Sequence, residues 1–355
     1  MDLFHEIPAP HCVKPDNPPV GITIRDVADA AGVSPATVSR ALRGMPNVNA
    51  ETRARIKTAA ARLDYVASPS ASRLASGRTG SIAVITPFIS RWYFSTVLSG
   101  VEAVLRGAGM DLLLLCVDDG ERGHDLPTAA QRLRRRVDGA LIVAMPPTDP
   151  TIKEVLDLGL PTSLVGVTVQ GVPGVAIDDA QAARQATQHL VNLGHERIGM
   201  IGGSSVEAQF TAETDRESGY RQILEDNGIG VDPSLVSHGF FTISGGERAM
   251  TNLLTQPRPP TAVFAMSDEM AFGALRSLSR HGLEPGRDVS IVGIDGHDVS
   301  EHLDLTTVAQ PVTALGQIAA ESLLAQIQAG LGEPLPGIVR VPTQLHVRGS
   351  TGPRG

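Results

Sequence analysis

Thr23-Ile24-Arg25-Asp26-Val27-Ala28-Asp29-Ala30-Ala31-Gly32-Val33-Ser34-Pro35-Ala36-Thr37-Val38-Ser39-Arg40-Ala41-Leu42-Arg43 holds two short helical patterns on either side of one glycine. In the first, Ile24, Val27, Ala28 and Ala31 fall at helical spacing. Asp26 follows Thr23 by three residues, a capping box with Asp in place of Glu. Gly32 stands where a left-handed residue suits a tight turn. In the second pattern Ser34 is an N-cap and Pro35 takes the first helical position, where its missing N–H costs nothing. Val38, Ala41 and Leu42 give that helix an apolar side, which leaves Ala36, Thr37, Ser39, Arg40 and Arg43 free. Two such helices form a helix-turn-helix whose second helix can enter a DNA major groove. The plainer alternative is a helical hairpin packing on itself. Cap, turn, core spacing and basic exposure together argue against it.

The charge supports the same division. The net charge of −8 at first disfavours a DNA binder. Yet residues 21–78 carry nine Arg or Lys against four acids, a balance of +5, while residues 1–20 carry −2 and the remainder −11. A basic head on an acidic body suits a nucleic-acid-binding module joined to a sensor. The two cysteines, Cys12 and Cys116, do not make a disulfide scaffold and fit a reducing cytoplasm. Cys116 ends the Leu112–Leu115 run and is expected to be a buried small hydrophobe. No run reaches the roughly 18 apolar residues of a membrane span. Residues 1–20 hold acids and five prolines and read as a disordered tail, with no signal-peptide core.

Outward from the head, Asn49 caps a third helix over about 50–63, where Ile56, Ala59, Ala60 and Leu63 close a three-helix core. Residues 66–80 are rich in Ser, Ala and Gly; a short helix near 70–75 is conceivable but unstable alone. From Ser81 apolar runs alternate with amphipathic helices. Strands are expected at 82–86, 111–116, 139–144, 162–165, 174–177, 197–202, 235–238, 261–265 and 289–294. Helices are expected at 94–108, 126–136, 151–158, 180–193, 213–227, 244–255, 268–281 and 312–329. Near-continuous apolar strands alternating with helices mean buried, doubly wound parallel sheets. The stretch is too long for one such sheet, so two α/β lobes are expected, with ligands at strand C-termini between them.

Ile24–Arg43, continued by Asn49-Ala50-Glu51-Thr52-Arg53 and Leu63-Asp64-Tyr65, resembles the DNA-binding domain of the lactose-repressor/galactose-repressor (LacI/GalR) family. The motif Asp-Val-Ala-x-x-Ala-Gly-Val-Ser-x-x-Thr-Val-Ser-Arg is highly specific to it, and the likeness runs through nearly the whole chain. It implies an all-α helix-turn-helix head over 21–66, a hinge helix and linker over 67–80, and a two-lobe, periplasmic-binding-protein-like core over 81–349. By resemblance lobe 1 spans about 81–177 and 311–337, lobe 2 about 178–310 and 338–349, and residues 350–355 are a tail. The family's hinge helix orders on operator DNA and wedges a leucine into the minor groove; Leu74 holds that position and Ala71 lies one turn earlier. Without the likeness, this segment reads as a flexible linker. DNA contacts are expected from Thr23, Ser34, Pro35, Ala36, Thr37, Ser39, Arg40 and Asn49 as well. Pro35 and Ala36 depart from family members that read bases through polar residues there. Base reading therefore leans on Arg40, which can bind guanine O6/N7, on Ala36 against a thymine methyl, on the hinge and on DNA shape.

Catalytic constellations do not emerge. Gly202-Gly203-Ser204-Ser205 lacks the spacing of a dinucleotide fingerprint or a P-loop, and the histidines lack zinc spacing. His195 sits near a helix end instead. Neither enzyme activity, a metal nor a cofactor is expected. Effector candidates follow strands: Trp92, Tyr93 and Phe94 after the first, Asp178 after Val175–Ile177, and Asp295 after Ser290–Ile294. Strand-end carboxylates accept hydrogen bonds from sugar hydroxyls or base N–H groups. The likeness places Tyr93 and Phe94 at the mouth of the effector cleft and matches Arg216 to the family's effector-binding arginine. Phe241, Phe210 and Asp268 are further candidates; the stretch from Gly203 to Arg216 is longer than in some relatives, which leaves Phe210 open. The bland readings are core packing for the aromatics, an interlobe salt bridge for Asp295 and Arg216, and a helix cap for Asp268. The expectation is a cytoplasmic, homodimeric repressor, or a tetramer of it, released from a palindromic operator by a small sugar. One alternative is a purine or nucleoside acting as co-repressor. Others are a sugar-binding protein of a transport system, which leaves the helix-turn-helix unexplained, and an α/β dehydrogenase, which the missing phosphate loop disfavours.

Overall fold

The computed structural model describes residues 22–42, 45–65, 78–117, 128–203, 210–329 and 337–355. The expected N-terminal tail and residues 67–77 of the expected hinge segment, with Ala71 and Leu74, lie outside these residues. The chain divides into a unit ending at Arg78 and a unit beginning at Thr79.

In the first unit, α1 (Ile24–Ala31), α2 (Pro35–Leu42) and α3 (Ala50–Arg62) form a three-helix head. The capping box closes in both directions: the Thr23 N–H donates to Asp26 Oδ2 at 2.7 Å and the Asp26 N–H to Thr23 Oγ1 at 3.4 Å. Gly32 takes the left-handed conformation at φ 63° that ends α1. Ser34 Oγ accepts from the Thr37 N–H at 3.2 Å, and Asn49 Oδ1 from the Thr52 N–H at 2.7 Å. Val27, Ala28, Ala31, Val38, Ala41, Ile56, Ala59 and Ala60 meet in one small core.

The second unit holds two six-stranded sheets. The first has the order β11-β5-β4-β3-β1-β2, from β1 (Ser81–Thr86), β2 (Asp111–Cys116), β3 (Gly139–Val143), β4 (Thr162–Val165), β5 (Gly174–Ala176) and β11 (Ile338–Arg340), all parallel. The second has the order β12-β10-β9-β8-β6-β7, from β6 (Ile198–Gly202), β7 (Val236–His238), β8 (Ala262–Ala265), β9 (Ser290–Asp295), β10 (Thr306–Ala309) and β12 (Gln344–His346). Only β12 runs antiparallel, against β10. Lobe 1 carries helices α4 (Trp92–Gly107), α5 (Ala129–Leu133), α6 (Pro150–Leu156) and α12 (Val312–Ala329). Lobe 2 carries α7 (Asp179–Asn192), α8 (Thr211–Asp226), α9 (Ile243–Leu254), α10 (Asp268–Arg280) and the one-turn α11 (Val299–His302). Two apolar clusters flank the first sheet, and one large cluster fills the second lobe.

The chain passes between lobes after β5 and before α12, as expected, but the third passage lies later. Ile338–Arg340 pairs with β5 in lobe 1, so the chain crosses between Arg340 and Gln344 rather than near Gly337. Residues 350–355 are not a loose tail. Ser350 is buried, its carbonyl accepts from the Ile291 N–H at 2.7 Å, and the Arg354 N–H donates to Leu193 O at 2.9 Å. Cys116 is exposed rather than buried, because β2 is an edge strand; its thiol donates to Pro87 O at 3.3 Å. His195 is buried and placed between Thr261 and Ser290, each 3.0 Å from a ring nitrogen.

Candidate effector cleft and nucleic-acid interface

One cleft opens between the strand ends of the two lobes. Tyr93, Phe94 and Gly166 line it from lobe 1; Phe210, Arg216, Phe241 and Asp295 line it from lobe 2. Tyr93 and Phe94 lie in the first turn of α4. Phe94 is buried and also belongs to the core, so its packing and lining roles coincide. Gly166 has φ +67°, and a Cβ there would stand 2.7 Å from the Tyr93 hydroxyl, so only glycine lets the phenol lie against this turn.

Arg216 is the polar centre. It is 5% exposed, and its Nε donates to Asp179 Oδ1 at 2.8 Å. A second nitrogen lies 2.8 Å from the same oxygen, a third donates to Met266 O, and Asp295 Oδ1 is 3.7 Å away. Burial works against the guanidinium charge, but Asp179 and Asp295 more than offset it and hold the group protonated. Asp295 ends β9 at φ 138°, a conformation rare for a residue with a side chain, and Gly296 follows at φ 71°. Gln310 Nε2 donates to Asp295 Oδ1 at 2.8 Å. Burial pushes the Asp295 carboxyl up to about 7; Arg216 pulls it down, Asp268 adds to the rise, and the Gln310 bond opposes it. Burial likewise pushes the Tyr93 phenol well up, with Asp179 and Asp295 adding to the effect. At the mouth, burial lowers Arg91 and raises Glu269, and their opposite charges act across the seam to restrain both shifts.

Three candidates do not line this cleft. Asp178 is exposed and caps α7, its Oδ1 accepting from the Gln181 N–H at 2.8 Å; the next residue, Asp179, turns inward to Arg216. Asp268 is fully buried and neither lines the cleft nor caps α10, a task that Ser267 performs. It accepts from the His297 N–H at 2.9 Å, Ser300 Oγ at 2.7 Å and Thr307 Oγ1 at 2.6 Å, and so pins the turn after Asp295. Trp92 stacks on His297 outside the lining. Sequence reasoning missed Asp179, Arg91, Glu269 and Gln310. The adjacent Asp178-Asp179 pair was the available signal for the first, and the Gln310-Pro311 crossover for the last.

The cleft lining is also aromatic. Phe210 and Phe241 pack edge to face, with centroids 6.1 Å apart at 89°. A guanidinium held by two carboxylates, one of them bonded to Gln310, in a lining that also holds phenyl rings, offers fixed donors and acceptors together with flat apolar surface. That suits a small ring with several hydroxyl groups. Among the described residues no His, Cys, Asp and Glu cluster could hold a metal ion, and no helix is long and apolar enough to cross a membrane.

On the head, Pro35, Ala36 and Arg40 of α2 are exposed, and Thr37 and Ser39 are half-buried. Thr23, Ser34 and Asn49 spend side-chain oxygens on helix caps. Their backbone positions therefore mark helix N-termini, where phosphate oxygens are readily held.

Comparison with known proteins agrees at both levels. Residues 23–68 match bacterial regulatory proteins of the lacI family, and residues 187–351 match the periplasmic binding protein-like domain. The chain is 36% identical over 339 residues to the HTH-type transcriptional repressor CytR of Escherichia coli (strain K12), covering 93% of this chain and 96% of that protein. It is 33% identical over 339 residues to the HTH-type transcriptional regulator CelR of Thermobifida fusca, covering 92% and 98%. The solved lac repressor dimer bound to operator and the anti-inducer ONPF is similar with a TM-score of 0.81 at 27% identity, covering 93% and 99%. The transcriptional regulator CelR–cellobiose complex gives 0.68 at 32% identity, again covering 93% and 99%. With a capped helix-turn-helix at one end, two parallel-sheet lobes after it, and kinship running through both, the chain belongs to the LacI family of DNA-binding transcriptional regulators.

Proposed function

We propose that this chain is a cytoplasmic, homodimeric repressor whose hold on a near-palindromic operator is released by a small sugar in the cleft between its lobes. The carrying observation is the Arg216–Asp179–Asp295 cluster sharing with aromatic side chains a cleft that has one wall from each lobe. Arg216 and Asp295 supply donors and acceptors for ring hydroxyls, Gln310 and Asp179 orient them, and Tyr93 and Phe241 cover the ring faces. A ligand touching both walls favours one degree of closure, and its differential affinity for the two forms is what shifts operator binding. Two heads place α2 in successive major grooves, Arg40 on guanine and Ala36 on a thymine methyl, with Thr23, Ser34, Thr37, Ser39 and Asn49 along the phosphates. The bound cellobiose in the CelR structure supports the sugar class.

A second reading rests on the Phe210–Phe241 pair, whose perpendicular rings also suit a planar base. In that reading a purine nucleoside tightens operator binding. Full-length protein bound to its own upstream DNA, followed by fluorescence anisotropy, separates the two. Release by ribose, cellobiose or another sugar is the expected result. Tightening by adenosine with no response to any sugar overturns the sugar reading.

A further inference from the structure

We propose that Trp92 and His297 form a latch that holds the lobes closed over the cleft and so sets the resting balance between operator-bound and released forms. The two rings come from different lobes: Trp92 opens α4 and His297 lies in the turn after β9. Their centroids are 4.5 Å apart with planes 24° from parallel, a stacked contact. The same imidazole meets Phe272 of α10 edge to face at 5.1 Å and 82°. The imidazole is therefore packed between the two lobes, and its side chain is 14% exposed.

The imidazole is held before Trp92 reaches it. The His297 N–H donates to Asp268 Oδ2, the buried carboxylate that also receives Ser300 and Thr307. The Val299 N–H donates to Nδ1 at 3.0 Å and orients the ring. On the other side Trp92 is packed against the lobe 1 core, as is Phe88, over whose ring the Arg91 guanidinium stands at 3.6 Å. The contact is thus made between two prearranged surfaces and costs little ordering when the lobes meet.

Neither residue lines the cleft, yet each adjoins one that does. Tyr93 follows Trp92, and Asp295 precedes His297 by two residues through the strained Asp295-Gly296 turn. A ligand that reorients Asp295 acts on the turn carrying His297, and a broken stack frees the turn carrying Asp295. Trp92 and His297 are positioning residues: they act on the ligand through Tyr93 and Asp295. This inference rests on the repressor reading above. A ligand that touches both walls favours the closed form, and release by that ligand makes the closed form the weaker DNA binder, so removing the latch should tighten operator binding before any effector is added.

The test uses full-length protein, its upstream DNA and no effector. His297→Ala is expected to lower the operator Kd about threefold or more, in line with the loss of one aromatic pair. Hydrogen exchange at the cleft-lining Ala144 and Gly166, whose N–H groups donate to Val165 O and Val175 O, is expected to rise. Acrylamide quenching of Trp92, the sole tryptophan of the chain, is expected to increase. His297→Phe, which keeps a stacking ring, should restore all three toward wild type. A Kd that rises by a similar factor, restored by His297→Phe, keeps the latch but overturns the release sign. An unchanged Kd with unchanged exchange at Ala144 and Gly166 overturns the latch, even if Trp92 becomes more accessible. If the wild type binds no upstream DNA, the repressor reading fails, and the exchange at Ala144 and Gly166 alone upholds or overturns the latch.

Discussion

Asp295 does two things that a single substitution separates. In the proposed function it offers an acceptor to the ligand, and it carries a carboxyl that burial pushes up to about 7. Asp295→Asn keeps the shape but replaces an acceptor oxygen with a donor, so effector affinity should fall by about 1–3 kcal/mol. Titration of the effector against wild type and variant, with operator affinity as control, measures this. The raised carboxyl also fixes the sign of a pH effect. Between the ordinary aspartate range and about 7, the unfolded chain has released this proton and the folded chain retains it. The group therefore favours folding most at low pH, and that contribution is lost as pH rises toward 7. Between about pH 5 and about pH 8 the wild type should lose more thermal stability than Asp295→Asn. Parallel curves would show that the carboxyl ionises as freely in the fold as outside it. On the DNA side, Arg40→Ala should cost about 1–3 kcal/mol and relax one operator position. Binding-site selection with the variant tests this, and an unchanged motif would move base reading elsewhere.

Among the elements, α4 and α12 approach closely through two glycines. A Cβ at Gly100 would meet Thr313 O at 2.1 Å, and one at Gly316 would meet Val97 O at 2.2 Å. Neither backbone can yield cheaply, so Gly100→Ala should destabilise lobe 1 by about 1–3 kcal/mol, read by urea unfolding. Asn49 poses a different question, because it caps α3 and is also a candidate for DNA. Asn49→Ala should raise hydrogen exchange at residues 51–53 by removing the cap, whereas Asn49→Ser keeps one. The elements that the sequence reveals are those with strong local patterns. Thr23, Gly32, Ser34 and Asn49 punctuate the head because each satisfies a helix end that would otherwise lack a partner. Strands β1 to β9 show as apolar runs because most are covered on both faces. Strands β11 and β12 are only three residues long, carry polar residues and are set by partners far along the chain, so nothing local marks them. The same limit explains Asp178 and Asp179. Both follow a strand, and only the start of α7 decides which one caps the helix and which turns to Arg216. Arg91 and Glu269 become site residues only when two lobes face each other, a relation no window of sequence contains.

For the whole molecule, the uneven charge makes operator binding a local electrostatic event. The head carries +5 within a chain of −8, so operator affinity should fall steeply with salt. Arg40→Ala should reduce that slope only slightly if its role is base reading, and loss of a phosphate contact should reduce it by about one. Release by an effector adds a constraint that no single-site account imposes. If cleft and head are coupled through closure, effector weakens operator binding by the same factor by which operator weakens effector binding. The most direct test is therefore to titrate a releasing sugar, found in the upstream-DNA assay, into full-length protein with and without saturating operator. Emission from Trp92, which precedes the cleft-lining Tyr93, is expected to report occupancy. The account predicts weaker sugar binding in the presence of operator, by the factor measured independently for operator release. Equal sugar affinity with and without operator would contradict it.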